Sequence, residues 1–173
     1  MSTGYKRDDL TAQVRATGAS LDPAVWIVDP DLSSVEDVPA KHWKLDGDAV
    51  VEMDQGEKDA VDAAELAKAI SERVQACGGS FTSMLYAHYN QEAQQSLSTY
   101  LSEARYGGLV NRASYILQAL GWIDFGLTAY YGKKDEIEAA ASLEELNAVL
   151  IDWSGLESFD PAVTLRQART ILD

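Results

Sequence analysis

Cysteine is all but missing. Cys77 is the only one, so no disulfide can form within the chain. Histidine is nearly as scarce: one thiol with His42 and His88 is too few for a structural zinc site. Basic residues are also thin, 14 Lys and Arg against 28 Asp and Glu, a net charge of −14. A nucleic-acid binder needs clustered Lys and Arg to meet phosphates, so nucleic acid is excluded as an expected partner. No apolar run long enough to span a bilayer is free of charge. The longest apolar stretch, residues 109–131, contains Arg112 and Asp124 as well as Asn111, Ser114 and Gln118. Charge inside a bilayer is costly, so a buried soluble helix is expected and no membrane contact. The first residues, Met1 to Asp9, have no apolar run after their charges, and no signal peptide is expected.

Catalytic patterns are absent as well. Gly78-Gly79 and Gly107-Gly108 are pairs rather than a spaced phosphate cradle. Cys77 and His88 flank the first pair without a glycine-rich nucleophile turn or an oxyanion signature, and Cys77 reads as a small core residue. Glu144-Glu145 falls at a helix start, where carboxylates serve the helix dipole. Asp46, Asp48, Glu52 and Asp54 alternate in a way that invites calcium, but the glycine and the distal bidentate Glu of an EF-hand loop are missing, and a polar hairpin tip is the better reading. No catalytic residue, metal, cofactor or small-molecule substrate is expected.

What remains is architecture. Residues 1–40 are irregular, with Val25-Trp26-Ile27-Val28 as the one strand-like run, fenced by Asp22-Pro23 and Asp29-Pro30. Their composition cannot support a core, so an extended N-terminal arm lying on neighbouring subunits or another protein is expected, with a lid on its own domain as the alternative. Residues 41–54 read as a β-hairpin, in which Asp46-Gly47-Asp48 supplies the turn. Asp54 with Glu57 has capping-box spacing and opens a helix, with Ala60, Ala63, Ala67, Ile70, Val74 and Cys77 along its seam. Gly78-Gly79 is expected to end it, and a second helix to run from Ser80 to about Arg105.

The organising stretch follows. Leu109, Ala113, Ile116, Leu120, Ile123, Leu127 and Tyr130 form one seam, with Tyr115, Ala119, Trp122, Gly126 and Ala129 beside it. A face so wide needs partners on two sides, as a central core helix or as a helix shared in an oligomer. Gly132 ends this stretch, residues 135–141 add a short helical piece, Ser142 with Glu145 is a second capping box, and Asp160-Pro161 opens a last helix over 161–172. The fold class is mainly α: a bundle of four to five helices over 55–173, preceded by the arm and a small hairpin. Tyrosine and tryptophan are enriched at interfaces, and Trp26, Trp43, Tyr115, Trp122 and Tyr130 are the candidate interface residues. A homo-oligomer is expected, completing its core between subunits in a cyclic assembly.

The run from His42 to Met53, His-Trp-Lys-Leu-Asp-Gly-Asp-Ala-Val-Val-Glu-Met, followed by Glu57-Lys-Asp-Ala-Val-Asp-Ala-Ala64, resembles a segment of tailed-bacteriophage virion proteins. In those proteins an aromatic-Lys strand, a Gly turn and a Val-Val-Glu-Met strand lead into a capped, Ala-rich helix. This chain departs from the pattern at Gly56, where a better helix former is usual, and at Asp54, where Thr or Ser is. The resemblance spans the hairpin and the helix start alone and carries no catalytic residue. It implies a structural protein located in the virion, with other virion proteins as partners. A helical assembly chaperone or regulatory binding protein that does not remain in the particle is the alternative.

Overall fold

A computed structural model describes residues 2–7, 10, 12–15 and 22–157. The protein is mainly helical, with a small antiparallel hairpin ahead of its helices. It divides into two units, residues 1–65 and 66–173.

The first unit holds the β structure. Strands β1 (Ser2–Lys6), β2 (Ala12–Arg15) and β3 (Trp26–Val28) form an antiparallel sheet in the order β2-β1-β3. The stretch expected to be an arm with one strand therefore supplies three. Strand β3 matches the apolar run Val25–Val28, whereas Ser2–Lys6 is too short and polar to signal a strand by alternation. Asp29 fastens the sheet end: its N–H donates to the Thr3 carbonyl at 2.8 Å, and its carboxylate accepts from the Thr3 N–H at 2.6 Å.

Strands β4 (Trp43–Asp46) and β5 (Ala49–Glu52) form the hairpin, with Trp43 opposite Glu52 and Asp46 opposite Ala49. That register leaves Gly47-Asp48 as the two-residue loop. Of the two, Gly47 alone takes a positive φ, 63°, which glycine tolerates at the first loop position. A lone hairpin is marginal in water. Here Trp43 meets Tyr5 of β1 with ring centroids 6.2 Å apart, Arg7 pairs with Asp48 at 2.7 Å, and Ser34 Oγ donates to the Val50 carbonyl at 3.2 Å. Ile27, Val35 and Val50 are buried in this unit. Much of the expected arm thus lies on its own chain.

Helix α1 (Gln55–His88) begins with the expected capping box, closed in both directions. The Glu57 N–H donates to the Asp54 carboxylate at 2.9 Å, and the Asp54 N–H to the Glu57 carboxylate at 2.8 Å. Gly78-Gly79 does not end α1. The break comes instead at Asn90, whose side chain accepts from the Ala93 N–H and caps α2 (Gln91–Tyr106). Tertiary contact explains the error. A Cβ on Gly78 would lie 3.5 Å from the Tyr130 hydroxyl, an ordinary packing distance, so the position sits in a packed helix face rather than at a helix end.

The second break is as expected. The Leu109 N–H donates to the Ala104 carbonyl at 2.8 Å and the Gly108 N–H to Arg105 at 3.3 Å, with Gly108 at φ 69°. This pair of reversed bonds around a left-handed glycine is the Schellman motif. Helix α3 (Val110–Glu138) then runs straight through Gly132 and absorbs residues 135–138. Next come α4 (Leu143–Ala148) and α5 (Ser154–Glu157). In α4 the Glu145 N–H donates to Ser142 Oγ at 3.1 Å, while the Glu145 carboxylate accepts from the Ala141 N–H. The helix expected over 161–172 lies outside the described residues.

In the second unit, one cluster gathers Cys77, Phe81, Met84 and Leu85 of α1, Leu97 of α2, Ile116, Trp122, Ile123 and Ile137 of α3, and Leu146, Trp153 and Leu156 after it. Full burial of one such aliphatic side chain is worth about 1.5–3 kcal/mol. From Tyr115 to Tyr130 both expected seams of α3 fall on this buried side, so the chain covers them itself there. The need for a second subunit to complete that face disappears. Among the described residues, no helix is long and apolar enough to cross a membrane.

The reciprocal cap sets a measurable expectation. Asp54→Ala should lower unfolding free energy by about 1 kcal/mol in denaturant titration; an unchanged midpoint would mean α1 does not depend on that cap.

Candidate interaction surface

The five aromatic candidates do not form one site. Trp26 and Trp43 are half-buried in the first unit, and the Trp43 indole N–H donates to the Val38 carbonyl at 2.9 Å. Tyr115 and Tyr130 are half-buried at the edge of the second unit's core. Trp122 is buried outright. Its indole N–H donates to the Leu156 carbonyl at 3.1 Å, and His88 and Tyr89 stand tilted against its ring at 5.2 and 5.9 Å. As an interface residue Trp122 is corrected: it belongs to the chain's own core, because α3 turns it toward α1 and the segment after α4.

Around it the packing is built on aromatics set against a glycine. Phe81 stacks on Tyr130 at 5.0 Å and 17°, and meets Trp153 edge-on at 5.4 Å. A Cβ on Gly126 would stand 3.5 Å from the Phe81 ring, so α3 presents bare backbone where that ring lies. The Trp153 indole donates to Ser80 Oγ at 3.0 Å, and Arg73 Nη2 donates to the Val149 carbonyl at 2.7 Å. These two bonds fasten residues 149–153 along α1.

Several titratable groups of the first unit are engaged in structure. Hydrogen bonds to Lys41 and then His42 hold the Asp62 carboxyl below its ordinary range, and Asp62 in turn raises Lys41. Asp48 pairs with Arg7, Glu52 with Lys58, and Asp54 caps α1, which accounts for three of the four hairpin acids. Among the described residues, no three His, Cys, Asp or Glu side chains are grouped to hold a metal ion. Cys77 and His88 stand about 16 Å apart along α1 at 1.5 Å per residue, too far for a nucleophile and base. Burial pushes the Cys77 thiol upward, against the weaker opposing pull of Lys133 and Arg73.

The exposed feature lies elsewhere on α3. Val110, Ser114, Leu117, Gly121, Phe125 and Thr128 advance by fours and threes along the side facing away from the core, and all are exposed. One shallow groove of about 380 Å³ is lined by Gln118, Gly121, Trp122 and Phe125. A second, of about 360 Å³, is lined by residues including Leu109, Val110, Ala113 and Leu117. The sequence reading missed this surface because α3 is nearly apolar all round. Polar Ser114 and Thr128 share this line with the exposed Leu117 and Phe125, so no clean alternation marks it.

Two outcomes follow from the buried side. Trp122→Glu would place an unpaired carboxylate in the core at a cost of several kcal/mol, and should abolish cooperative melting by circular dichroism. A folded Trp122→Glu monomer would show that the indole is not held in a private core. Cys77 should resist a maleimide in mildly alkaline buffer and react at once in denaturant, since thiolate is scarce and the sulfur inaccessible; rapid native labelling would show α1 opening there. Comparison with known protein families, with curated proteins and with solved structures finds no match to this chain.

Proposed function

We propose that the chain is a non-enzymatic structural component of a tailed-phage virion, an adaptor or a subunit associated with fibre, tail or head. It works through contacts with other virion proteins and with copies of itself, and it resides in the particle. One observation carries this reading. The residues that resemble the phage segment take the form the resemblance implies: Trp43–Asp46 and Ala49–Glu52 pair as strands, and Asp54 with Glu57 caps the helix that follows. The exposed apolar line on α3 adds support, since such a line marks a surface for protein contact.

Quantitative mass spectrometry of purified particles tests it. The chain should appear at a fixed copy number relative to the major virion proteins and survive a salt wash. Presence in the infected-cell lysate with absence from the particle would replace the proposal with an assembly chaperone.

A further inference from the structure

We infer that α3 pairs with α3 of a second copy, antiparallel, across a two-fold axis at Gly121. The inference rests on reading the chain as one that works through protein contacts, and deepens it by naming the surface and the partner. It does not depend on where the chain resides.

Three observations favour a second copy. The first is the order of residues along the exposed line. Leu117 and Phe125 lie four positions either side of Gly121, and Ser114 and Thr128 seven either side. A two-fold interface uses one patch twice and must therefore complement itself. Antiparallel pairing about Gly121 sets the Leu117 end of one helix against the Phe125 end of the other, and Ser114 toward Thr128. Small residues meet at the crossing. A Cβ on Gly121 would find nothing within 4 Å, so this backbone is open to close approach by another helix. The groove beside Gly121 is roomy enough to receive the second copy's Phe125 ring.

The second is charge. On a chain of net charge −14, no residue of this line is ionisable. Two identical acidic chains repel, and an uncharged stripe whose nearest exposed carboxylate is Asp124 on its flank adds little to that repulsion. A basic partner would be drawn to the acidic surfaces instead.

The third is size. Val110 is 73% exposed, Leu117 46%, Phe125 59% and Tyr131, on the flank, 57%. At about 200 Å² for a whole large side chain, these give on the order of 500 Å² per copy. A symmetric pair then buries roughly 1,000 Å² of apolar surface, the lower bound for a specific interface and the size of a reversible dimer.

Analytical ultracentrifugation of the full chain over a micromolar concentration series, with circular dichroism, decides the matter. Wild type should sediment as a dimer that strengthens with added salt, as the net charges are screened. Phe125→Glu should weaken dimerisation by about a thousandfold, because a two-fold interface loses the side chain twice, while its melting curve extrapolated to low concentration stays unchanged. Gly121→Cys should form a disulfide-linked dimer under mild oxidation, and Ser98→Cys on the exposed side of α2 should not. A wild-type monomer throughout overturns the inference, as does a Phe125→Glu variant that still dimerises. A wild-type monomer whose Phe125→Glu form melts markedly lower would assign the surface to the chain's own residues 158–173. Failure to find the chain in particles would leave every one of these results intact, so the two readings fail separately.

Discussion

The stacking of Phe81 on Tyr130 against the bare backbone of Gly126 is the contact on which the helical unit turns. It brings α1 and α3 together at a point where neither offers aliphatic bulk. The early part of α1 is largely alanine on its seam, so cohesion has to come from the later part, where Cys77, Phe81, Met84 and Leu85 are buried. Tyr130 lies over Gly78 and Phe81 over Gly126, and with Trp153 these rings fill the space between the helices. Aromatic area replaces aliphatic depth. Trp122 repeats the arrangement one turn away, with an apolar ring inside and its single donor spent on the Leu156 carbonyl.

The first unit is held differently. Its buried side chains are few, and polar contacts carry the local order: Arg7 with Asp48, Ser34 with Val50, Lys41 and His42 with Asp62. Exposed pairs of this kind contribute little each and are screened by salt. They fix geometry more than they add stability, which suits a small β module whose hydrophobic centre is Ile27, Val35 and Val50.

Features with local causes were legible in the sequence. The Asp54–Glu57 capping box, the Ser142 cap, the turn glycine at position 47 and the break at Gly107-Gly108 depend on residues within one or two turns, and all are found, although Glu145 closes on the Ala141 N–H rather than on Ser142. Features with distant causes were not. Gly78-Gly79 reads as a helix stop until Tyr130 is known to lie against it, and Gly132 likewise reads as an end inside an unbroken helix. The true break at Asn90 was hidden by Tyr86, His88 and Tyr89, whose bulk blurs any periodic pattern. Strands β1 and β2 are specified by their pairing with each other and with Trp26–Val28, not by their own composition. The exposed stripe on α3 escaped notice for a related reason. Apolar content shows that a helix has a buried face, but only the packed neighbours reveal which apolar line is left over.

The segment after α4 carries an entropic cost that the α2–α3 pair does not. Helices α2 and α3 are joined by a glycine pair, so closing one against the other restrains few residues. The bonds Ser80–Trp153 and Arg73–Val149 span 73 and 76 positions, and closing so long a loop before its contacts form is entropically unfavourable. The α2–α3 pair is thus the contact with the smaller loop-closure cost. Residues 149–156 carry the larger one, which their bonds to Arg73 and Ser80 and the Leu156 carbonyl's bond to Trp122 offset.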